Sequence, residues 1–214
     1  MSHQLREGLS FCFVGDRAVF LDLPADRYFC LGPDLEDRFR AWAAREAADE
    51  PVDALVRHGL LVPGSAPPAC ARIAPPTVSL LEIDHDRSTA SLIPAAFLHF
   101  VATSASLRFG GLAVTIERFR RRKERARVAA PHASLAADIA HAHEATALLT
   151  ASHDKCLARS IAIARHLAGR GLRPTLVLGV RLRPFHAHCW VQLGETVAND
   201  RIENVRTFTP IVAI

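Results

Sequence analysis

A cysteine, a histidine and an aspartate, Cys156, His188 and Asp200, follow one another in the last third of the chain. A thiol is a strong nucleophile only as the thiolate, and it needs a base or ion-pair partner. A histidine in that role needs a carboxylate or amide to hold its tautomer. The stretch "FHAHCWVQLGETVAND", Phe185 to Asp200, carries the histidine and the aspartate. Upstream, "SHDKCLARSIAIARHLAGRGL" has the marks of a helix. Ser152 or Asp154 suits its cap, Leu157, Ile161, Ala164, Leu167 and Ala168 form one apolar face, and Gly169 and Gly171 are stop signals. Cys156 thus falls near a helix N-terminus, where free backbone N–H groups and the helix dipole favour a thiolate, with Lys155 and Arg159 close by. Plainer readings stay open from the residues alone. A free cysteine most often packs as a small hydrophobe. A metal site from His186, His188 and Cys189 is the rival for the hairpin, although alternation points Cys189 away from the two histidines and no third ligand is obvious.

Strand periodicity places a condition on the triad. A two-residue turn at Gly194-Glu195 would pair Leu193 with Thr196, set Cys189 opposite Asp200 and turn His188 to the other side. A bulged turn pairing Gln192 with Thr196 would set His188 opposite Asp200, so an odd turn is expected. His186 shares a face with His188 but sits beside Pro184-Phe185 at the strand start, which makes His188 the better base. Trp190, two residues on, is a candidate cleft wall or a plain core aromatic.

These residues need a scaffold, and 214 residues suffice for one large domain or two small ones. Half the residues are hydrophobic and 22% are charged, a globular composition rather than a disordered one. The five cysteines are odd in number and widely spaced, with no CxxC, which argues against a disulfide framework or a zinc ribbon. The first residues lack a basic segment followed by an apolar one, and the most apolar stretch, Leu92 to Leu107, is interrupted by His99 and followed by Arg108. The expectation is a cytoplasmic protein with no integral membrane segment.

"FCFVGDRAVFLDLPADRYFCL" reads as a three-strand meander, followed by a helix from Pro33, a short helix in "VDALVRHG" and a wing strand in "LLV". A linker composition, with five prolines between Pro63 and Pro76, comes next. Helices are then expected in "SLIPAAFLHFVATSASLRF", "GLAVTIERFRRRKERAR" and Ser134 to Thr150, then the Cys156 helix and strands at Pro174 to Leu182, "AHCWVQL" and "TVAND". The fold class is α+β, divided as 1–64, a 65–85 Pro-rich linker, and 86–214.

The segment from Cys156 to Asp200 resembles the B protein of lasso-peptide biosynthesis, a leader peptidase with a papain/transglutaminase-like fold. The matching residues are Cys156-Leu157 with Arg159-Ser160, Gly179-Val180, Phe185, Ala187-His188-Cys189-Trp190-Val191-Gln192 and Asn199-Asp200. Cys189 and Gln192 depart from the family's usual alanine and glutamate; neither is a triad position. The first sixty residues are similar to the winged-helix-like precursor-recognition element of peptide-modifying enzymes. The resemblance implies that Cys156, His188 and Asp200 are catalytic. It also implies that the leader peptide adds as a strand at Arg27, Tyr28, Phe29, Cys30 and Leu31, against a helix bearing Val52, Leu55 and Val56. Its implied partners are the leader region of a precursor peptide and an asparagine-synthetase-like, macrolactam-forming cyclase. It implies no covalently bound cofactor, any ATP dependence entering through the cyclase.

The run "RFRRRKERAR", Arg118 to Arg127, carries seven basic residues in ten. It reads as a solvated helix face or as a docking site for the cyclase, an anionic membrane surface or a nucleotide. No nucleic-acid-binding motif accompanies it. Two other function classes share the sequence pattern: transglutaminase- or acetyltransferase-type acyl transfer by the same triad, and a non-catalytic peptide-binding adaptor.

Overall fold

The computed structural model describes residues 2–44, 52–66, 70–84, 89–126, 133–149 and 155–214, without the side chains of 133, 148 and 149. The expected meander is present as β2 (Leu9–Val14), β3 (Arg17–Asp22) and β4 (Arg27–Cys30), an antiparallel sheet in that order. Helices α1 (Pro33–Ala44) and α2 (Asp53–Arg57) follow, and the wing strand β5 (Leu61–Pro63) pairs with β1 (His3–Leu5), which periodicity did not reveal.

The meander alternates strictly, and both of its faces are buried. Phe11, Ala18, Phe20 and Phe29 face one way and pack with Phe39 of α1 and Leu55 of α2. Phe20 and Phe29 stack with centroids 5.1 Å apart, and Phe39 meets Phe20 edge-on at 4.7 Å. Cys12, Val19, Leu21 and Tyr28 face the other way, into a core they share with the second part of the chain.

That second part is built on a five-stranded sheet in the order β10-β7-β8-β9-β6. Its strands are β6 (Val78–Ser79), β7 (Thr175–Arg181), β8 (His186–Leu193), β9 (Thr196–Val197) and β10 (Thr209–Ala213). Helices α3 (Ile93–Arg125), α4 (Ala133–Leu149) and α5 (Cys156–Gly169) pack together, α5 lying on β8, and α6 (Ile202–Val205) precedes β10. By length and apolarity α3 is sufficient to cross a membrane. It is broken at Gly111, whose φ of 73° is open to glycine, and the two limbs fold close enough for Ser106 and Thr115 to share a hydrogen bond of 2.9 Å. The first limb packs Phe100 on Ala158 and Ala162 of α5, and the second sends Leu112, Ile116 and Phe119 into the main core.

The Pro-rich segment is no free tether where it is described. Prolines cannot donate, but the chain between them accepts and pairs: Ala74 O takes a bond from Gln192 Nε2, Thr77 N–H donates to Glu195 O, and Val78 and Ser79 run parallel to Thr196 and Val197. The shared core and this seam make cooperative unfolding of the two parts the expected behaviour. Each part holds one tryptophan, Trp42 or Trp190. Within each single-tryptophan variant, tryptophan fluorescence and backbone circular dichroism should therefore report one common urea midpoint, and Leu21→Ala, which loses about 2–5 kcal/mol, should lower it for both probes. Separate midpoints would show independent units.

Candidate active site

Cys156 is the first residue of α5. The residues proposed to cap this helix, Ser152 and Asp154, lie outside the described residues; Lys155 occupies the N-cap without a side-chain bond. The helix is fixed by its apolar face, with Ile161, Ala164 and Leu167 fully buried. One turn beyond Cys156, buried Ser160 donates through Oγ to Cys189 O at 2.6 Å and accepts from Asn199 Nδ2 at 2.8 Å. That hydroxyl ties the helix to β8 and to the chain just before Asp200.

His188 stands on β8 opposite Gly179 of β7. A Cβ at Gly179 would sit 2.6 Å from the Trp190 ring and 3.1 Å from Phe208 Cβ, so only glycine lets both rings close in. Phe208 lies 4.9 Å and Trp190 6.1 Å from the imidazole, centroid to centroid. This corrects the expectation for Trp190. It is 2% exposed, packs with Val177, Val197 and Val205, and backs His188 instead of walling the cleft. Its indole N–H is satisfied by Gln192 Oε1 at 2.9 Å.

The expected odd turn is absent. Leu193 pairs with Thr196 and Gln192 with Val197, the register of a two-residue turn with Gly194 at φ 63°. The irregularity comes after the turn. Ala198 N–H still bonds Val191 O, but Val191 N–H is taken by Asn199 Oδ1 at 2.8 Å in place of a backbone carbonyl. The strand therefore ends at Val197, the chain swings out of the ladder, and the Asp200 carboxylate reaches the His188 face from there.

Asp200 Oδ2 and His188 Nε2 form a short hydrogen bond. Asn204 Nδ2 donates to both carboxylate oxygens at 3.1 and 3.0 Å, and Arg201 N–H donates to Oδ1 at 2.7 Å. Ser79 Oγ holds the Asp200 carbonyl at 2.7 Å. With Nε2 engaged, Nδ1 is the ring nitrogen left for the thiol of Cys156, which lines the same cleft as His188.

The electrostatics follow from these contacts. Burial alone would raise the Cys156 pKa. The hydrogen bond and charge of His188, with the N–H groups of Cys189 and Leu157, outweigh it and hold the thiol below its ordinary value. Burial would likewise lower His188, but its bonds to Asp200 and Cys156 win and raise it to about 9. Burial opposes ionisation of Asp200, yet His188 and Asn204 keep it ionised below the usual carboxylate range. Both shifts favour a thiolate–imidazolium pair. It opens on a cleft of about 400 Å³ bounded by Leu81, Ala140, Glu144, Arg159 and Arg201. Cys189 is buried, its thiol pushed up by burial, and His186 is exposed. Among the described residues no three His, Cys, Asp or Glu side chains converge as metal ligands.

The structure thus brings Cys156, His188 and Asp200 together. The residues assigned to leader binding divide. Among the described residues strand β4 is a sheet edge, bonded to β3 alone, and presents exposed Arg27 and Cys30. Phe29 is stacked on Phe20, and Leu31 and Leu55 are core residues at 7% and 1% exposure, so those two offer no side-chain surface to a peptide. Val52 is half-buried and Val56 exposed, while Tyr28 turns toward the second part and meets Phe185 at 5.5 Å. Sequence reasoning gave no role to Ser160, Asn199, Asn204 or Gly179. Three of these stood inside the quoted motif, whereas nothing in sequence marks Asn204.

Iodoacetamide labelling, mapped by peptide mass, reads the ion pair directly, with exposed Cys30 as the internal reference thiol. Cys156 should react at pH 6 at least about tenfold faster than Cys30. His188→Ala should abolish that advantage; equal rates in the wild type would rule out the ion pair.

The profile of the transglutaminase-like superfamily matches residues 98–213. The chain is also similar to the microcin J25-processing protein McjB of Escherichia coli, at 41% identity over 58 residues, which is 27% of each chain. The match thus spans about a quarter of that relative's length. No solved structure matches significantly. Since the superfamily match covers more than half of the chain and contains the whole Cys156–His188–Asp200 constellation, this chain belongs to the transglutaminase-like superfamily.

Proposed function

We propose that this chain is a cysteine peptidase that binds the leader of a ribosomally made lasso-peptide precursor, cuts leader from core, and supplies the core to a macrolactam-forming cyclase. The observation that carries the hydrolytic reading is a His188 imidazole hydrogen-bonded to Asp200 and sharing one cleft with the Cys156 thiol at a helix N-terminus. The substrate class rests on the resemblance to lasso-peptide B proteins and on the similarity to a protein named for processing microcin J25.

In this reading the Cys156 thiolate attacks the carbonyl carbon of the last leader residue. The oxyanion is met by the backbone N–H of Cys156, which as the first helical residue has no intrahelical acceptor. Collapse breaks the C–N bond, and His188 gives its proton to the departing core amine. The leader remains as a thioester. His188, now neutral, takes a proton from water as the water attacks, and the leader carboxylate leaves with the thiolate restored. Asp200, held by Asn204 and Arg201, keeps the imidazole oriented through both half-reactions. The outer edge of β4, unpaired among the described residues, is the proposed place for the leader strand.

Intact mass of a precursor peptide tests this, after incubation with the protein and, in a parallel sample, the cyclase. The wild type should yield leader and core fragments, and Cys156→Ala none. A leader joined to an added amine would instead mark acyl transfer, and an uncut but bound peptide, even with cyclase, an adaptor. A second measurement is the pH profile of kcat/KM. Its alkaline limb should fall near the His188 pKa of about 9. Asp200→Asn removes the anion that raises His188, so that limb should move to lower pH, with a loss of about 10²–10⁴ in rate. An unmoved limb would exclude His188 as the proton donor.

A further inference from the structure

The second limb of α3 and the C-terminal end of α5 enclose a concavity of about 740 Å³. Six arginines line it: Arg118, Arg121, Arg122, Arg125, Arg165 and Arg170. It is distinct from the catalytic cleft, with which it shares no residue. Of the six, Arg121 has a carboxylate partner, Glu117 at 2.7 Å. Among the described residues no carboxylate lies within ion-pairing distance of the other five. Arg127 adds a further cation to the sequence, and residues 127–132 contain no Asp or Glu.

A structural role for this charge is weak. Arginines at a helix C-terminus ordinarily answer its free carbonyls and partial negative charge. Here the carbonyls of His166, Leu167 and Ala168 already accept from the N–H groups of Arg170, Gly171 and Leu172. A macrodipole of about half a charge cannot offset five unpaired guanidinium groups. The side chains are positioned: Arg165 donates to Thr103 Oγ1 and Arg118 to Ser106 Oγ, each at 3.3 Å, which aims both into the same space. The positive field reaches the layer beneath. Burial, with Arg122 and Arg170 among the added causes, holds both His99 and His166 below the ordinary histidine range.

We infer that this concavity is a binding site for a compact ligand bearing clustered phosphate groups. Guanidinium forks match phosphate oxygens bidentately, and several forks around one space suit a multivalent anion rather than a single carboxylate. The volume is that of a small-molecule site. Besides arginine the lining is Ala126, Ala168, Gly169 and Gly171, with no aromatic side chain and no broad apolar face for an acyl chain, whereas the guanidinium groups supply what phosphate oxygens need. The recognised element is therefore the phosphate chain itself. The site needs no part of the peptidase reading.

Thermal melting and calorimetry of the full chain with sodium tripolyphosphate, at ionic strength matched with sodium chloride, test this. The wild type should show a saturable rise in melting temperature. Arg122→Gln/Arg165→Gln should weaken tripolyphosphate binding at least about tenfold. Arg118→Gln/Arg125→Gln, confined to exposed side chains, should do the same without any question of folding. Cys156 labelling should be unchanged in both variants. No saturable response, or equal responses in wild type and variants, would overturn the proposal. So would equally tight binding to poly-glutamate, which would make the site a generic acidic-peptide surface. Arginine-dependent pelleting with phosphatidylglycerol vesicles, without a tripolyphosphate response, would replace the compact ligand with a membrane headgroup layer.

Discussion

One buried hydroxyl fixes where the active site can form. Ser160 Oγ bonds on two sides: it donates to a carbonyl of β8 and accepts from the Asn199 amide. Cys156 lies one turn before it on the helix, His188 lies next to Cys189 on the strand, and Asp200 follows Asn199. Each member of the triad is thus one short step from a partner of the same hydroxyl. A slip of helix against strand would leave buried polar groups unpaired, at about 1–3 kcal/mol for each. The apolar contacts of Ile161, Ala164 and Leu167 bring α5 to the sheet. Contacts of that kind are non-directional and tolerate sliding, whereas the hydroxyl does not. It is what turns a packed helix into a registered one.

The same network explains why a short strand serves the chemistry better than a long one. Had β9 continued past Val197, alternation would have set Asp200 opposite Cys189 and on the wrong face. By substituting its side chain for a backbone partner at Val191, Asn199 ends the ladder where the carboxylate has to leave it. Asn204 and the Arg201 N–H then meet Asp200 outside the sheet. The carboxylate is charged, desolvated and saturated with donors, the condition under which a buried anion is tolerable.

The triad was legible in sequence because its demands are chemical and local: a thiol at a helix start, and a histidine and an aspartate on one hairpin. The strand count of the N-terminal meander was legible for the same reason, through turn signals between apolar runs. What failed depended on elements that cover other elements. From the residues alone Trp190 is a cleft wall or a core aromatic; Val205 of α6, Phe208 and Ile73, whose positions sequence does not give, cover that side of the sheet and make the indole core. The turn was judged by counting residues, and a count cannot show a side chain replacing a backbone partner. Leu31 and Leu55 were assigned to a peptide groove, but α1 and α2 close on the meander and bury them. Burial of the meander's opposite face against the second part of the chain is equally invisible, since alternating apolar residues on both faces look the same whether the second face meets solvent-facing helices or another sheet.

That shared face gives the edge strand and the cleft a mechanical relation. Tyr28 on β4 rests against Phe185, the residue before β8, and His188 is three residues further along the same strand. Helix α5 completes the arrangement with its polarity. Its N-terminus, where partial charge is positive, carries the thiolate; its C-terminus, where partial charge is negative, lies among arginines. Each end therefore places its charges on the favourable side of the dipole. The two ends differ in what remains to be satisfied. The Cys156 thiol has a cationic partner in His188, whereas five guanidinium groups at the far end have no carboxylate partner among the described residues. Convergent positive charge without a carboxylate partner among the described residues suits a multivalent anion from outside the chain, which is why the arginine concavity is the proposed second site.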